Sequence, residues 1–251
     1  MRINAAKARM LAGKPALGVV STSGSPFVAG SLANTGLDFI LVDCQHGAWE
    51  LNEAMDAFAR ISLGKATPMA RVHRNDFFDI GRLLDRGSLG IVVPMVNNRA
   101  EAEAAAFAMR YPPRGGRSMG AFATDHLGLD NYIAQANDQV FLAVQIETVA
   151  GLRNVDEIMA VDGVDGCWVG PYDLAAGLGL DTSTDSGRAR HEEAILEVLA
   201  ACKRAGKIPG IYGGDDPGRW IEKGFQFVTA GAELDLMAQA TRDLVRRVRP
   251  E

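Results

Sequence analysis

Eight times along this chain a short apolar run rich in Val, Ile and Phe precedes a stretch with helical spacing, and few folds accept that rhythm. The runs begin near residues 16, 39, 67, 90, 141, 165, 207 and 225 as ALGVV, FILVD, TPMARV, GIVVPMV, FLAVQIE, DGCWVG, KIPGIYGG and FQFVTAG. Continuous hydrophobicity predicts strands buried on both faces, as in a parallel sheet flanked by helices. Eight βα units in 251 residues match an α/β fold of the (β/α)8 (TIM) barrel type, expected as one domain over residues 1–251. An open doubly wound sheet would usually carry GxGxxG after its first strand, where this chain has STSGSP.

Punctuation supports the same order. The STSGSP cap opens the first helix and Gly36 closes it, further helices are expected from Leu51 to about Ser62 and from Asp76 to about Arg86, and Pro112 stops the pattern NRAEAEAAAFAMRY. A long helix is expected from about Arg188 to Ala205, and the N-terminal MRINAAKARMLAGKP as a helix covering the bottom of the barrel. The longest irregular stretch runs from Pro112 to Gly128, before a short helix near Leu129 to Ala136. A loop of that length in a compact chain invites a functional reading, here a lid over the barrel or a contact with a neighbouring subunit.

Composition removes several classes of function. With 47% apolar residues the chain can bury a large core, and a net charge of −5 with interspersed signs argues against a nucleic-acid partner. No run approaches the ~20 apolar residues of a membrane span. The three cysteines, Cys44, Cys167 and Cys202, form no CxxC pair and read as core thiols of a reducing cytoplasm.

Ligands of parallel α/β folds bind at the carboxyl ends of the strands, so polar residues there are the candidates. The second run ends in Asp43 and leads to Gln45 and His46, the third carries Arg71, and the fifth ends in Gln145 and Glu147. Gln145 and Glu147 are two apart and share one side of their strand. After the sixth run comes GPYDL, where Pro171 and Asp173 suit a helix start. Glu147 and Asp173 from adjacent strands, with no His or Cys ligand beside them, suit a hard divalent cation such as Mg²⁺ or Mn²⁺ with positions left for a chelating 2-oxo acid. The acid's carboxylate could also take backbone N–H groups near Pro171, Tyr172 and Asp173. Arg71 would face the ketone oxygen, and His46 is the natural proton-transfer group, since histidine titrates near neutrality. The blander readings are that both acids cap helices, Arg71 pairs with a rim carboxylate, Asp43 caps a turn, and His73, His126 and His191 are solvated surface residues. No lysine lies at a strand's active end, which disfavours a Schiff-base mechanism.

The segments ILVDCQHG, MARV, LLDRGSLGIVVPMV, RYPPRGGRSMG, QIET and WVGPYDL, in this order and spacing, resemble the HpcH/HpaI family of metal-dependent class II aldolases. The resemblance covers about Leu17 to Gly231 and implies cleavage of 4-hydroxy-2-oxo acids to pyruvate and an aldehyde. It also implies a homo-hexamer, a trimer of dimers, with the last helix exchanged between neighbours, and a Mg²⁺, Mn²⁺ or Co²⁺ ion. Carried over onto this chain, Glu147 and Asp173 hold the metal and Arg71 stabilises the enolate. Gln145 and the backbone of Gly170, Pro171 and Tyr172 hold the pyruvate moiety; His46 is the base and Asp85 the carboxylate that raises its basicity, a part that Asp43, from the strand before His46, could take instead. The family often has Glu before that histidine, in a DGEH block, where this chain has Gln45. Trp49, Phe122 and His126 are the candidates for the aldehyde end. A coenzyme A thioester lyase, a 2-oxo acid decarboxylase and a catalytically idle binding subunit are the alternatives.

Overall fold

Eight parallel strands close into a barrel in the computed structural model, which describes residues 1–121, 124–128 and 131–249. They are β1 Ala16–Ser21, β2 Phe39–Asp43, β3 Thr67–Arg71, β4 Gly90–Val93, β5 Phe141–Ile146, β6 Gly166–Val169, β7 Gly210–Tyr212 and β8 Phe227–Ala232. Each pairs with the next, and β8 returns to β1, so the expected barrel is what forms. The eighth strand closes the sheet and leaves no edge unpaired. β4 stops at Val93, short of the expected Val96, because Pro94 has no N–H to donate and Met95 turns the chain at φ 57°.

The core has two layers. One fills the barrel itself: Phe39 stacks on Phe227 at 4.6 Å between ring centroids, Phe141 meets Phe227 edge-on at 5.1 Å, and Leu41, Met69, Val92 and Trp168 pack beside them. Gly18 makes room for this packing, since a Cβ there would lie 2.3 Å from the Phe39 ring. The other layer joins the outward side chains of the strands, such as Ile40, Val42, Ile91 and Val144, to the surrounding helices. Burying each large apolar side chain contributes roughly 1.5–3 kcal/mol, enough to hold polar groups rigidly at the rim.

The N-terminal helix Ala5–Leu11 does close the bottom, with Ala6 and Met10 entering the interior cluster. Asn4 caps it and donates to the carbonyls of Leu89 and Gln139, and Lys7 donates to Val140. The described residues of the long irregular stretch, 112–121 and 124–128, lie at this same end. Arg2 N–H donates to Leu127, Leu127 clusters with Tyr111 and Tyr132, and Arg117 bonds Asp85 at 2.7 Å. These described residues sit between a helix that ends at the bottom and the helix that leads into β5, so they form no lid over the mouth of their own barrel. The short helix after it is Tyr132–Gln139, three residues later than expected.

Two further features bear on function. Cys167 and Cys202 are buried free thiols with their Sγ atoms 3.2 Å apart. In the terminal helix Glu233–Val248 only Glu233 is buried, while Leu236, Met237, Leu244, Val245 and Val248 are exposed along it.

Candidate active site

The second and third strands set the first pair. Asp43 and Arg71 are register partners on β2 and β3, so their side chains leave the barrel rim side by side. The guanidinium Nε and Nη2 donate to the two Asp43 oxygens at 2.8 and 2.5 Å, with both residues buried. That bidentate fork spends two donor nitrogens and leaves Nη1 outside it, on a residue that lines the cavity, with the guanidinium carbon 5.3 Å from the centre of the Trp168 ring. Asp43 also accepts from the backbone N–H groups of Gln45 and His46, at 3.0 and 3.3 Å. It therefore fixes both the arginine and the turn that presents His46.

The fifth and sixth strands supply the second group. Gln145 and Glu147 point to the same side, as their spacing predicts, and Gln145 Nε2 donates to Glu147 at 2.6 Å. The other Glu147 oxygen accepts from Met95 N–H at 2.8 Å, which the left-handed turn at Met95 aims inward. Burial pushes the Glu147 carboxyl up to about 7; the Met95 N–H and Arg71 oppose this, and the Asp173 carboxylate adds to it. Gly170 lies between: a Cβ there would be 2.9 Å from Gln145 Nε2, Glu147 Cβ and Glu147 Oε2 alike. Only glycine lets β6 pass so close, and the helix Pro171–Gly177 then starts with no side-chain cap, placing Asp173 in its first turn.

These groups converge. Asp43, His46, Arg71, Gln145, Gly170, Pro171, Tyr172 and Asp173 line one cavity of about 230 Å³ at the carboxyl ends of the strands, with Glu147 packed against Gly170 behind it. His46 is exposed in its loop and reaches the same space. The donor set fits a hard cation: two neighbouring carboxylates, plus a buried Gln145 Oε1 that has no hydrogen-bond partner. Among the described residues no cluster of three or more His, Cys, Asp or Glu forms a fuller metal site.

Other candidates lie elsewhere. Asp85 ends the helix before β4, at the opposite end of its own barrel from His46, and pairs with Arg117. It does not orient His46 within one chain. Trp49 is buried with Nε1 bonded to the Ser21 carbonyl at 2.7 Å, and it borders a separate surface hollow with Gln45 and His73. His126 lies at the bottom, its charged form disfavoured by burial and by Arg2; Phe122 falls outside the described residues. His191, expected to be solvated, is half-buried and bonds the Pro171 carbonyl at 2.7 Å, bracing the GPYDL turn from the long helix Asp185–Arg204.

Sequence reading also missed cavity residues. Val20, Thr22, Trp168, Tyr212 and Ala232 line the same space. Trp168 was legible in principle, since it lies two residues before Gly170 and so shares its inward side.

The sequence model of the HpcH/HpaI aldolase/citrate lyase family matches residues 17–240. A hydroxypyruvate/pyruvate aldolase of Rhizorhabdus wittichii is 38% identical over 239 residues, covering 94% of this chain and 95% of that protein. A 4-hydroxy-2-oxo-heptane-1,7-dioate aldolase of Shigella flexneri is 35% identical over 252 residues, covering 97% and 92%. Among solved structures, an HpcH/HpaI aldolase/citrate lyase family protein from Burkholderia cenocepacia superposes with a TM-score of 0.89 at 30% identity, covering 98% of this chain and 99% of that one. The matched sequence model and the similarity over nearly the whole chain show that the chain belongs to the HpcH/HpaI aldolase/citrate lyase family.

Proposed function

We propose that this chain is a class II aldolase that reversibly cleaves 4-hydroxy-2-oxo acids to pyruvate, or a similar 2-oxo acid, and an aldehyde. The observation that carries this reading is the convergence of Asp173 and Gln145 with the Arg71–Asp43 fork in one small cavity, with Glu147 bonded to Gln145 directly behind it. Glu147 and Asp173 would hold a divalent cation, Mg²⁺, Mn²⁺ or Co²⁺. When bound, such an ion supplies Lewis acidity to the carboxylate and ketone oxygens of the 2-oxo acid.

The chain's own residues do the rest. Gln145 and the backbone from Gly170 to Tyr172 seat the 2-oxo acid. His46 takes the proton from the C4 hydroxyl, the C3–C4 bond breaks to release the aldehyde, and the electron pair passes to the C2 oxygen as an enolate. Arg71 Nη1 donates to that oxygen as its charge grows. Asp43 holds the arginine in place and fixes the backbone of the His46 turn, which differs from orienting the imidazole itself. Return of a proton to C3 then gives the free 2-oxo acid.

The exposed apolar face of the terminal helix supports a homo-oligomer, a hexamer in which that helix packs on a neighbour. The unpaired buried thiols support a reducing cytoplasm; no helix among the described residues is long and apolar enough to cross a membrane. The test is deuterium incorporation into the pyruvate methyl group, followed by NMR with and without divalent metal, alongside cleavage of free 4-hydroxy-2-oxo acids. Metal-dependent exchange and cleavage are expected, with both lost in Glu147→Ala and Asp173→Ala. Full activity in exhaustively chelated protein, or action on coenzyme A esters alone, would overturn the assignment.

A further inference from the structure

The terminal helix is attached to the top of the barrel by an unusual contact. Its one buried residue is its first, Glu233, an acid that is 1% exposed. The carboxylate accepts from the N–H groups of Thr22 and Ser23 at 2.8 Å and from the hydroxyls of Ser21 and Thr22 at 3.1 Å. Burial opposes ionisation, but the donors of Ser21, Thr22 and Ser23 outweigh it and hold the carboxyl below its ordinary range. A buried acid costs stability unless its oxygens are satisfied, and here both are. What Glu233 grips is the turn that follows β1.

That turn is locked to the loop carrying His46. Thr22 C=O accepts from Ala48 N–H at 2.8 Å, and Ser21 C=O accepts from the Trp49 indole at 2.7 Å. Two glycines allow the loops to touch. At Gly24, φ is +69° and a Cβ would lie 2.3 Å from the Ala48 carbonyl oxygen; at Gly47 a Cβ would lie 3.1 Å from Thr22 Cα. Thr22 and His46 line the same cavity, so the turn after β1 and the loop that carries His46 are joined by these two hydrogen bonds beside the site. Nothing in the reaction itself uses Glu233.

We propose that Glu233 is a positioning residue for the aldol step: from the first turn of the terminal helix it fixes Ser21–Ser23, and through Ala48 and Trp49 it sets the place of His46. This rests on the aldolase reading above, in which His46 moves the C4 hydroxyl proton. It also gives the terminal helix a route to the active site, because a helix that shifts must carry its first residue with it.

The test is a double-mutant cycle on the full-length protein with saturating metal. Glu233→Gln replaces one acceptor oxygen with a donor facing the Thr22 and Ser23 N–H groups. It should lower kcat for cleavage about 10- to 100-fold, the order that a misplacement of ~1 Å costs, with KM and metal affinity within about twofold of wild type. In a His46→Ala background the same change should cost nothing further, because the group it positions is gone. Ser21→Ala, which removes a single donor, is read in the same cycle and should show a smaller loss in kcat that also vanishes with His46→Ala; it serves as the test if Glu233→Gln does not fold. Wild-type kcat in Glu233→Gln, or an equal loss with and without His46, overturns the inference. Absence of cleavage by the wild-type protein overturns the aldolase reading instead.

Discussion

Arg71 holds Asp43 in the structure and, in the proposed reaction, donates to the enolate oxygen, and replacing it should separate the two effects. Arg71 is 8% exposed and bonded through Nε and Nη2 to Asp43, which is 1% exposed. Arg71→Ala leaves a buried carboxylate with only the Gln45 and His46 N–H groups. Breaking a buried pair from one side costs about 3–5 kcal/mol, and the two retained donors place this case near the lower figure, ~3 kcal/mol. Loss of the Nη1 donor to the enolate oxygen should independently lower turnover on the order of 10²- to 10³-fold. Adding Asp43→Asn removes the stranded charge, so the double variant should recover part of the stability but no turnover. Arg71→Lys should not restore the rate, because a single ammonium cannot grip Asp43 at both oxygens and still reach the substrate. Urea unfolding followed by tryptophan fluorescence reads the first effect, and pyruvate release under saturating metal reads the second. A rate within threefold of wild type in Arg71→Ala would refute the role given to Nη1, and unchanged stability would refute the account of the Asp43 fork.

Gly170→Ala should reduce cleavage about tenfold or more with the fold intact by circular dichroism, since its Cβ would press on Gln145 and Glu147 at 2.9 Å; wild-type kinetics would show that this approach is not required. In metal-free protein Glu147, held at about 7 in the fold against 4.5 ordinarily, keeps a proton that the unfolded chain has released. Its contribution to stability is therefore complete below pH 4.5 and is lost as pH rises through 7, and Glu147→Gln should flatten that slope in denaturant titrations; identical slopes would contradict it. His46→Ala should suppress cleavage strongly while metal and pyruvate binding, measured by calorimetry, persist; cleavage near the wild-type rate would mean another group takes the hydroxyl proton.

Much of this site was legible because parallel strands deliver their polar residues to one end. Asp43, Arg71, Gln145 and Glu147 each terminate an apolar run, and that regularity identifies them without any contact being known. What sequence alone missed lies in pairings between distant segments. His191 reaches the Pro171 carbonyl from the helix after the turn it braces, and Glu233 meets Ser21–Ser23 from the other end of the chain. Neither carries a periodic signal. Pro112–Gly128 and Asp85 are a different case, since the order of elements already decides them. Asp85 is the last residue of a helix and the described residues of 112–128 lie between two helices ahead of β5, and the junctions that lead into strands lie at the bottom of this barrel, away from the mouth.

The charges at the mouth explain why the two acids are tolerable together. Arg71 is a cation that acts on Glu147, but its fork is committed to Asp43, so most of its charge is already matched. Glu147 is buried and the exposed Asp173 lies beside it, and burial first, with the Asp173 carboxylate adding to it, pushes the Glu147 carboxyl up to about 7. A second anion, such as the carboxylate of a 2-oxo acid, would meet repulsion in that state. A divalent cation would reverse the balance: it would displace the proton from Glu147, satisfy the buried Gln145 or leave it for substrate, and turn the cavity attractive to the acid that must enter. The raised Glu147 and the buried, unpartnered Gln145 oxygen are thus two signs of one incomplete charge set, and the Asp43–Arg71 fork is what keeps the arginine from completing it.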